Sequence, residues 1–157
     1  MQTDSALISE LEYFEGDKSK VYPDSRKLPT IGVGHLLTKD ELSSGVIIIG
    51  GESVIYGLGL SEPEIQVLLN QDLAQAEAAV NRLVKVQLNQ DQWDALVSFC
   101  FNIGSGAFAG SCLLRCLNSG EFDQVPNQMR RWCKNHDGTL NQGLVRRREA
   151  EIKLWGA

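Results

Sequence analysis

The stretch that most constrains this chain begins at Ser61. Ser61-Glu62-Pro63-Glu64 has the pattern of a helix start: Ser at the N-cap, an acid three residues on, and Pro inside the first turn. Ile65, Leu68, Leu69, Leu73, Ala76 and Val80 then recur at helical spacing. One stripe of a long helix, running to about Leu83, must therefore be buried against other parts of the chain. The 157 residues are 43% hydrophobic and 22% charged, enough to build that core. Disorder and fibrous architectures are excluded, and one folded domain with room for two lobes is expected.

More helices follow. Asn89-Gln90-Asp91-Gln92 opens one whose apolar face is Trp93, Leu96, Val97 and Phe101. After a glycine-bounded turn at 104–110, short helices are expected at 111–118 and 125–133, and a final amphipathic helix at 144–155. Trp93, Trp132 and Trp155 fall on apolar stripes and read as core anchors. At the other end, Leu7, Ile8, Leu11 and Phe14 give residues 4–14 one apolar face, with Asp4 or Ser5 as cap and Gly16 as stop.

Residues 17–35 have a different character. A strand at 18–22, a turn at Pro23-Asp24-Ser25 and a return strand at 30–34 form a small antiparallel sheet. Glycines alternating with β-branched residues in the return strand predict that another group lies close to its backbone. Residues 46–56, centred on Gly50-Gly51, read as a hairpin or, alternatively, an irregular glycine-rich loop. The fold class is thus α+β, a single domain over 1–157. A mixed β lobe spans about 13–60, and a helical lobe is made from 1–12 and 61–157.

Charge and cysteine content narrow the function classes. A formal net charge of −5 gives no global nucleic-acid footprint. No apolar run approaches the ~18 residues of a membrane span. The N-terminus is polar and acidic, without the pattern of a secretory leader, so residence in a cytosol is expected. Cys100, Cys112, Cys116 and Cys133 allow three pairings. In that compartment free, mostly buried thiols are the expectation. No CxxC or His pair completes a metal site, and no cofactor is expected.

Three polar residues stand at the turns of the small lobe: Glu15, Asp24 and Thr30. Glycosidic cleavage needs two carboxylates, one protonated toward the leaving oxygen and one ionised. Environment sets which is which. Glu15 follows Tyr13 and Phe14, whereas Asp24 stands among Ser25, Arg26 and Lys27, so Glu15 is the candidate acid. On residue chemistry alone, a solvated helix-end acid and a turn-forming Asp account for the same pattern.

The order of motifs adds to this. Phe14-Glu15-Gly16, Val21-Tyr22-Pro23-Asp24 and Thr30-Ile31-Gly32-Val33-Gly34-His35 resemble the signature of the phage T4-type lysozymes (endolysins, glycoside hydrolase family 24). The resemblance continues through Leu36-Leu37-Thr38-Lys39, Leu69-Asn70-Gln71-Asp72, the segments at 95–99, 101–104 and 108–110, and Gly143 to Glu151. It implies a lysozyme-like fold with a cleft between the lobes, and a muramidase cutting the β-1,4 bond between N-acetylmuramic acid and N-acetylglucosamine in bacterial peptidoglycan. Glu15 would be the general acid. Asp24 and Thr30 would hold or activate water, giving inversion; retention through an Asp24 ester is the alternative. Leu36, Phe101 and Asn102 match positions that contact substrate, although helical spacing makes Phe101 equally a core residue. His35 would pair with Asp72 as a structural ion pair.

The resemblance further implies a monomer that waits in the host cytoplasm and reaches the wall after a holin opens the membrane. It implies no stable membrane association and no nucleic-acid partner. A peptidoglycan-binding module without catalysis and a lytic transglycosylase are the competing functions. Arg146-Arg147-Arg148 with Arg130-Arg131 reads either as a contact for Glu15 or peptide carboxylates, or as a solvated face. Two stretches depart from the family pattern: 44–60 is rich in Ile and Gly, and Arg26-Lys27-Leu28-Pro29 stands where relatives often have a Gly.

Overall fold

The computed structural model describes every residue except 17, 25 and 157; Ser25 of the expected turn lies outside the described residues. In chain order the elements are α1 (Ser5–Glu15), β1 (Lys18–Pro23), β2 (Pro29–Gly32), β3 (His35–Leu36), α2 (Lys39–Ser44), β4 (Val46–Ile49) and β5 (Glu52–Ile55). There follow α3 (Glu62–Leu83), α4 (Gln90–Ile103), α5 (Ser105–Ala109), α6 (Cys112–Asn118), α7 (Val125–Arg130) and α8 (Gln142–Trp155). The chain forms two compact units, one of residues 9–72 and one of 1–8 with 73–157, whose boundaries fall inside α1 and α3.

In the 9–72 unit, β1, β2 and β3 form an antiparallel sheet in that order. Tyr22 lies opposite Thr30, and Thr30 opposite Leu36. The expected return strand at 30–34 is broken. Gly32 and Gly34 both have positive φ, 61° and 73°, and the chain reverses at Val33-Gly34 to begin β3. A side chain disfavours that backbone region, so the glycines that looked like strand residues set a turn. Gly32 also rests against Ile65 and Leu68 of α3, where an added Cβ would lie 3.6 Å from Ile65.

The Ile-rich segment is a hairpin, β4 paired with β5 around Gly50-Gly51. The Gln71 side chain ties it to α3 at both ends of its amide: Oε1 accepts from Gly50 N–H at 2.6 Å, and Nε2 donates to the Ile48 carbonyl at 3.0 Å. The α2 helix was not anticipated, although Thr38-Lys39-Asp40-Glu41 carries its signature. Thr38 and Glu41 form a reciprocal capping box. At α3 the expected box is only half made. Both Ser61 N–H and its hydroxyl donate to the Glu64 carboxylate. The loop that departs from the family pattern places Lys27 at φ 61°, the one non-glycine with positive φ among the described residues.

In the helical unit, α4 is buried without interruption from Trp93 to Cys100, as expected of a helix surrounded by others. Asn89 caps it reciprocally with Gln92, and α8 and α5 pack on it. Trp93 and Trp155 are buried; Trp132 meets Phe99 edge-on at 5.9 Å. Residues 105–109, read as a turn, make the short helix α5. The helix expected at 125–133 ends at Arg130.

Two expectations fail here. Arg147 and Arg148 are not a solvated face: they are 3% and 0% exposed and pair with Glu151 at 3.2 and 2.8 Å. Arg130, Arg131 and Arg146 are exposed, and Arg130 pairs with Glu149 at 2.8 Å. The four cysteines are free, but only Cys100 is buried. The others sit part-exposed on or beside short surface helices, where their neighbours leave one side open. Among the described residues, no helix is long and apolar enough to cross a membrane.

Candidate active site

Glu15 is the last residue of α1, and the fold delivers its carboxyl onto a glycine. A Cβ built on Gly34 would lie 2.9 Å from both Cδ and Oε2 of Glu15. The close approach to the return segment foreseen from its glycines is therefore made by Glu15 itself. The shielding expected from Tyr13 is absent, since that ring is 81% exposed. The neighbours of Glu15 are instead the Gly34 turn and Tyr22, whose hydroxyl donates to the Glu15 backbone oxygen at 3.3 Å.

Asp24 organises the loop after β1. Its Oδ1 accepts from the backbone N–H groups of Arg26 and Leu28, both at 2.8 Å. Arg26 Nε lies 3.5 Å from Oδ2. Short acceptor bonds to nearby amides are the means by which Asp stabilises a turn, and here they also hold the carboxylate in one orientation. Thr30, buried in β2, donates its hydroxyl proton to the Leu28 carbonyl at 3.0 Å. Its oxygen is left as an acceptor, so toward a water molecule Thr30 acts by receiving a proton donor.

Glu15 and Asp24 share one neighbour. Burial, then the charge of Glu15, and more weakly that of Asp24 raise the Tyr22 phenol above its ordinary value, against a Gly34 backbone N–H that lowers it. Both carboxylates thus act on the same hydroxyl within one compact unit.

His35 opens β3 with its Nδ1 2.8 Å from Asp72 Oδ2 on α3. Its second nitrogen, Nε2, faces Glu41 Oε2 at 3.3 Å. Glu41 was missed from sequence; its signal lay in the capping box that turns it back toward the β3 end. Burial opposes the imidazolium, but Asp72 and then Glu41 outweigh it and raise the His35 pKa. Burial likewise opposes the Glu41 carboxylate, but Thr38 and His35 lower its pKa.

The linkage signs follow from these directions. The His35 contribution is fully present below about pH 6.5 and is lost as pH rises through its raised value. The Glu41 contribution is present above about pH 4.3 and is lost as pH falls through its lowered value. The stability difference between wild type and His35→Asn should therefore be largest near pH 5–6 and shrink toward pH 9. Urea midpoints measured across that range would check it; a constant difference would count against the charged cluster.

Gly34 provides a sharper test of the acid's surroundings. Gly34→Ala places a methyl group where the Glu15 carboxyl now sits. The flexible acid can move aside, so the stability loss should be about 1–2 kcal/mol, set by the positive φ. If Glu15 is the reacting group, activity should fall about 100-fold. Thermal unfolding and a turnover assay on the same preparation would separate the two effects.

The remaining candidates are distributed as follows. Leu36, 43% exposed on β3, belongs to the unit of Glu15. Phe101 and Asn102 belong to α4 in the helical unit, where Asn102 Oδ1 accepts from Arg148 Nη2 at 3.0 Å. Among the described residues, no group of three or more His, Cys, Asp or Glu side chains could hold a metal ion.

Comparison with known proteins gives a consistent outcome. The chain matches the family described as Phage lysozyme over residues 12–151. It is 42% identical over 134 residues to the endolysin of Salmonella phage P22, covering 85% of each chain. A mutant P22 lysozyme has a similar fold, with a TM-score of 0.76 and 38% identity over 100% of this chain and 99% of that one. The muramidase domain of SpmX from Asticaccaulis excentricus gives 0.77 and 30% identity, over 99% and 98%.

Proposed function

This chain belongs to the phage lysozyme family, a glycoside hydrolase that lyses the bacterial cell wall, and on that premise we propose that Glu15, Asp24 and Thr30 carry the cleavage. The bond is the β-1,4 link between N-acetylmuramic acid and N-acetylglucosamine. Glu15 protonates the leaving glycosidic oxygen. Asp24 and the acceptor oxygen of Thr30 accept hydrogen bonds from the two O–H groups of a water molecule, and Asp24 takes one proton as water attacks the anomeric carbon from the opposite face, the other proton staying on the new hydroxyl. That sequence inverts the configuration; Asp24 then releases its proton to solvent and Glu15 takes one up, which restores both groups.

The observation that carries this reading is the Glu15 carboxyl lying on the Gly34 backbone, with the Tyr22 hydroxyl, two positions before Asp24, reaching the end of α1. Thr30 supports it, because its own proton is already committed to Leu28. Leu36 offers apolar surface to a sugar ring, and Phe101 and Asn102 offer a ring and an amide. The Asn102 oxygen is engaged by Arg148, so its N–H groups are the ones available to an N-acetyl carbonyl or a hydroxyl. His35 and Asp72 serve structure rather than chemistry. The enzyme works as a monomer, and a holin-type lesion admits it to the wall.

Product analysis tests the reading. Purified protein on peptidoglycan should release reducing-end N-acetylmuramic acid in the α configuration at first formation. An anhydro sugar would identify a transglycosylase, the β anomer would identify retention, and binding without turnover would identify a module that has lost catalysis.

A further inference from the structure

Tyr22 is used by none of the steps above, yet its hydroxyl joins two segments of the site. The residue lies on β1, two positions before Asp24, and opposite Thr30 on β2. Its O–H donates to the backbone oxygen of Glu15 at 3.3 Å. That oxygen belongs to the last turn of α1, where helix carbonyls lack intrahelical donors. Gly34, in the turn between β2 and β3, also acts on the phenol and lowers its pKa. The same Gly34 lies under the Glu15 carboxyl.

We propose that Tyr22 is a positioning residue for glycosidic cleavage: its hydroxyl brackets the end of α1 to β1 and so fixes the direction in which Glu15 delivers its proton. This rests on Glu15 being the acid. The bracket works only while the phenol keeps its proton. The titratable groups that face it are Glu15 from α1 and Asp24 from beyond β1, and burial first, then these carboxyls, raise the phenol and hold its proton in place. A phenylalanine would fill the same space without tying the two segments together.

Tyr22→Phe should lower kcat about ten- to a hundred-fold, the range expected when a reacting group is slightly misaimed, with KM within about two-fold. A merely structural role would lower the unfolding midpoint and leave kcat per folded molecule unchanged, which would overturn the proposal. A second variant removes the dependence on folding. With 2,3,5-trifluorotyrosine at position 22, ring and oxygen remain but the proton is lost at lower pH. Its kcat should match wild type at acidic pH and fall through the pH at which the fluorophenol ionises. A profile superposed on that of wild type would overturn the bracket. Glu15→Gln, run alongside, separates the two ideas. Activity in that variant would remove the acid assignment, whereas an inactive Glu15→Gln with a fully active Tyr22→Phe would remove only the bracket.

Discussion

Glu15→Gln should reduce the release of reducing ends from peptidoglycan by about 10²–10⁴-fold, the contribution typical of a positioned general acid. The replacement keeps the length and planarity of the side chain and removes the proton that the leaving oxygen needs. It should not act through stability, because an isosteric, part-buried amide at a helix end is expected to change folding free energy by less than about 1 kcal/mol. Substrate binding should also survive, so KM or a sedimentation assay on insoluble wall should change little. The contrast with Gly34→Ala is informative. One change removes the proton and keeps the position; the other keeps the proton and moves it. If Glu15→Gln retained wild-type turnover with a clean fold, the acid would have to be sought elsewhere.

Glu151→Gln should produce the largest stability loss, about 3–5 kcal/mol, the range for breaking a buried ion pair by removing one partner. Glu151 is 2% exposed, between Arg147 at 3% and Arg148 at 0%. Its Oε1 accepts from the Ser98 hydroxyl at 2.8 Å and from Arg147 Nε at 3.2 Å, and its Oε2 lies 2.8 Å from Arg148 Nε. The neutral amide would remove the buried negative charge that both guanidinium groups contact. Ser98 O and Asn102 Oδ1 accept from them, and the Arg148 guanidinium lies 4.8 Å from the centre of the Phe99 ring. These neutral contacts hold the groups in place but do not balance their charge. Against a total stability of about 5–15 kcal/mol, such a loss is a large share and would be read directly from urea unfolding. Replacing Arg147, Arg148 and Glu151 together with apolar residues should recover most of it, since no buried charge then remains. A loss below about 1 kcal/mol for the single variant would mean that water reaches the cluster.

Much of the architecture was legible locally. The α3 stripe, the Asn89–Gln92 cap of α4 and the Gly50-Gly51 hairpin depend on spacing and turn chemistry within a few residues, which a sequence displays directly. The candidate site was legible as a set of residues in the right order. What it lacked was Tyr22, present in the motif but without a stated role, and Glu41, hidden in a capping box belonging to a helix that had not been recognised. The failures share a cause. Arg147 and Arg148 look like surface charges because most arginines are, and only a partner 49 positions away at Ser98 and the packing of α8 on α4 bury them.

By itself, the amino-acid order determined where helices start, where the chain must turn, and that an acid ends the first helix while a second carboxylate follows at a turn. Those features arise from backbone sterics and side chains close in sequence. Only the tertiary structure decided that the acid rests on a glycine, that the Tyr22 phenol reaches the end of the first helix, and that two of three adjacent arginines lie in the interior. Contact between residues distant in the chain depends on how elements pack, and burial, which governs the energy of a charge, is a property of that packing.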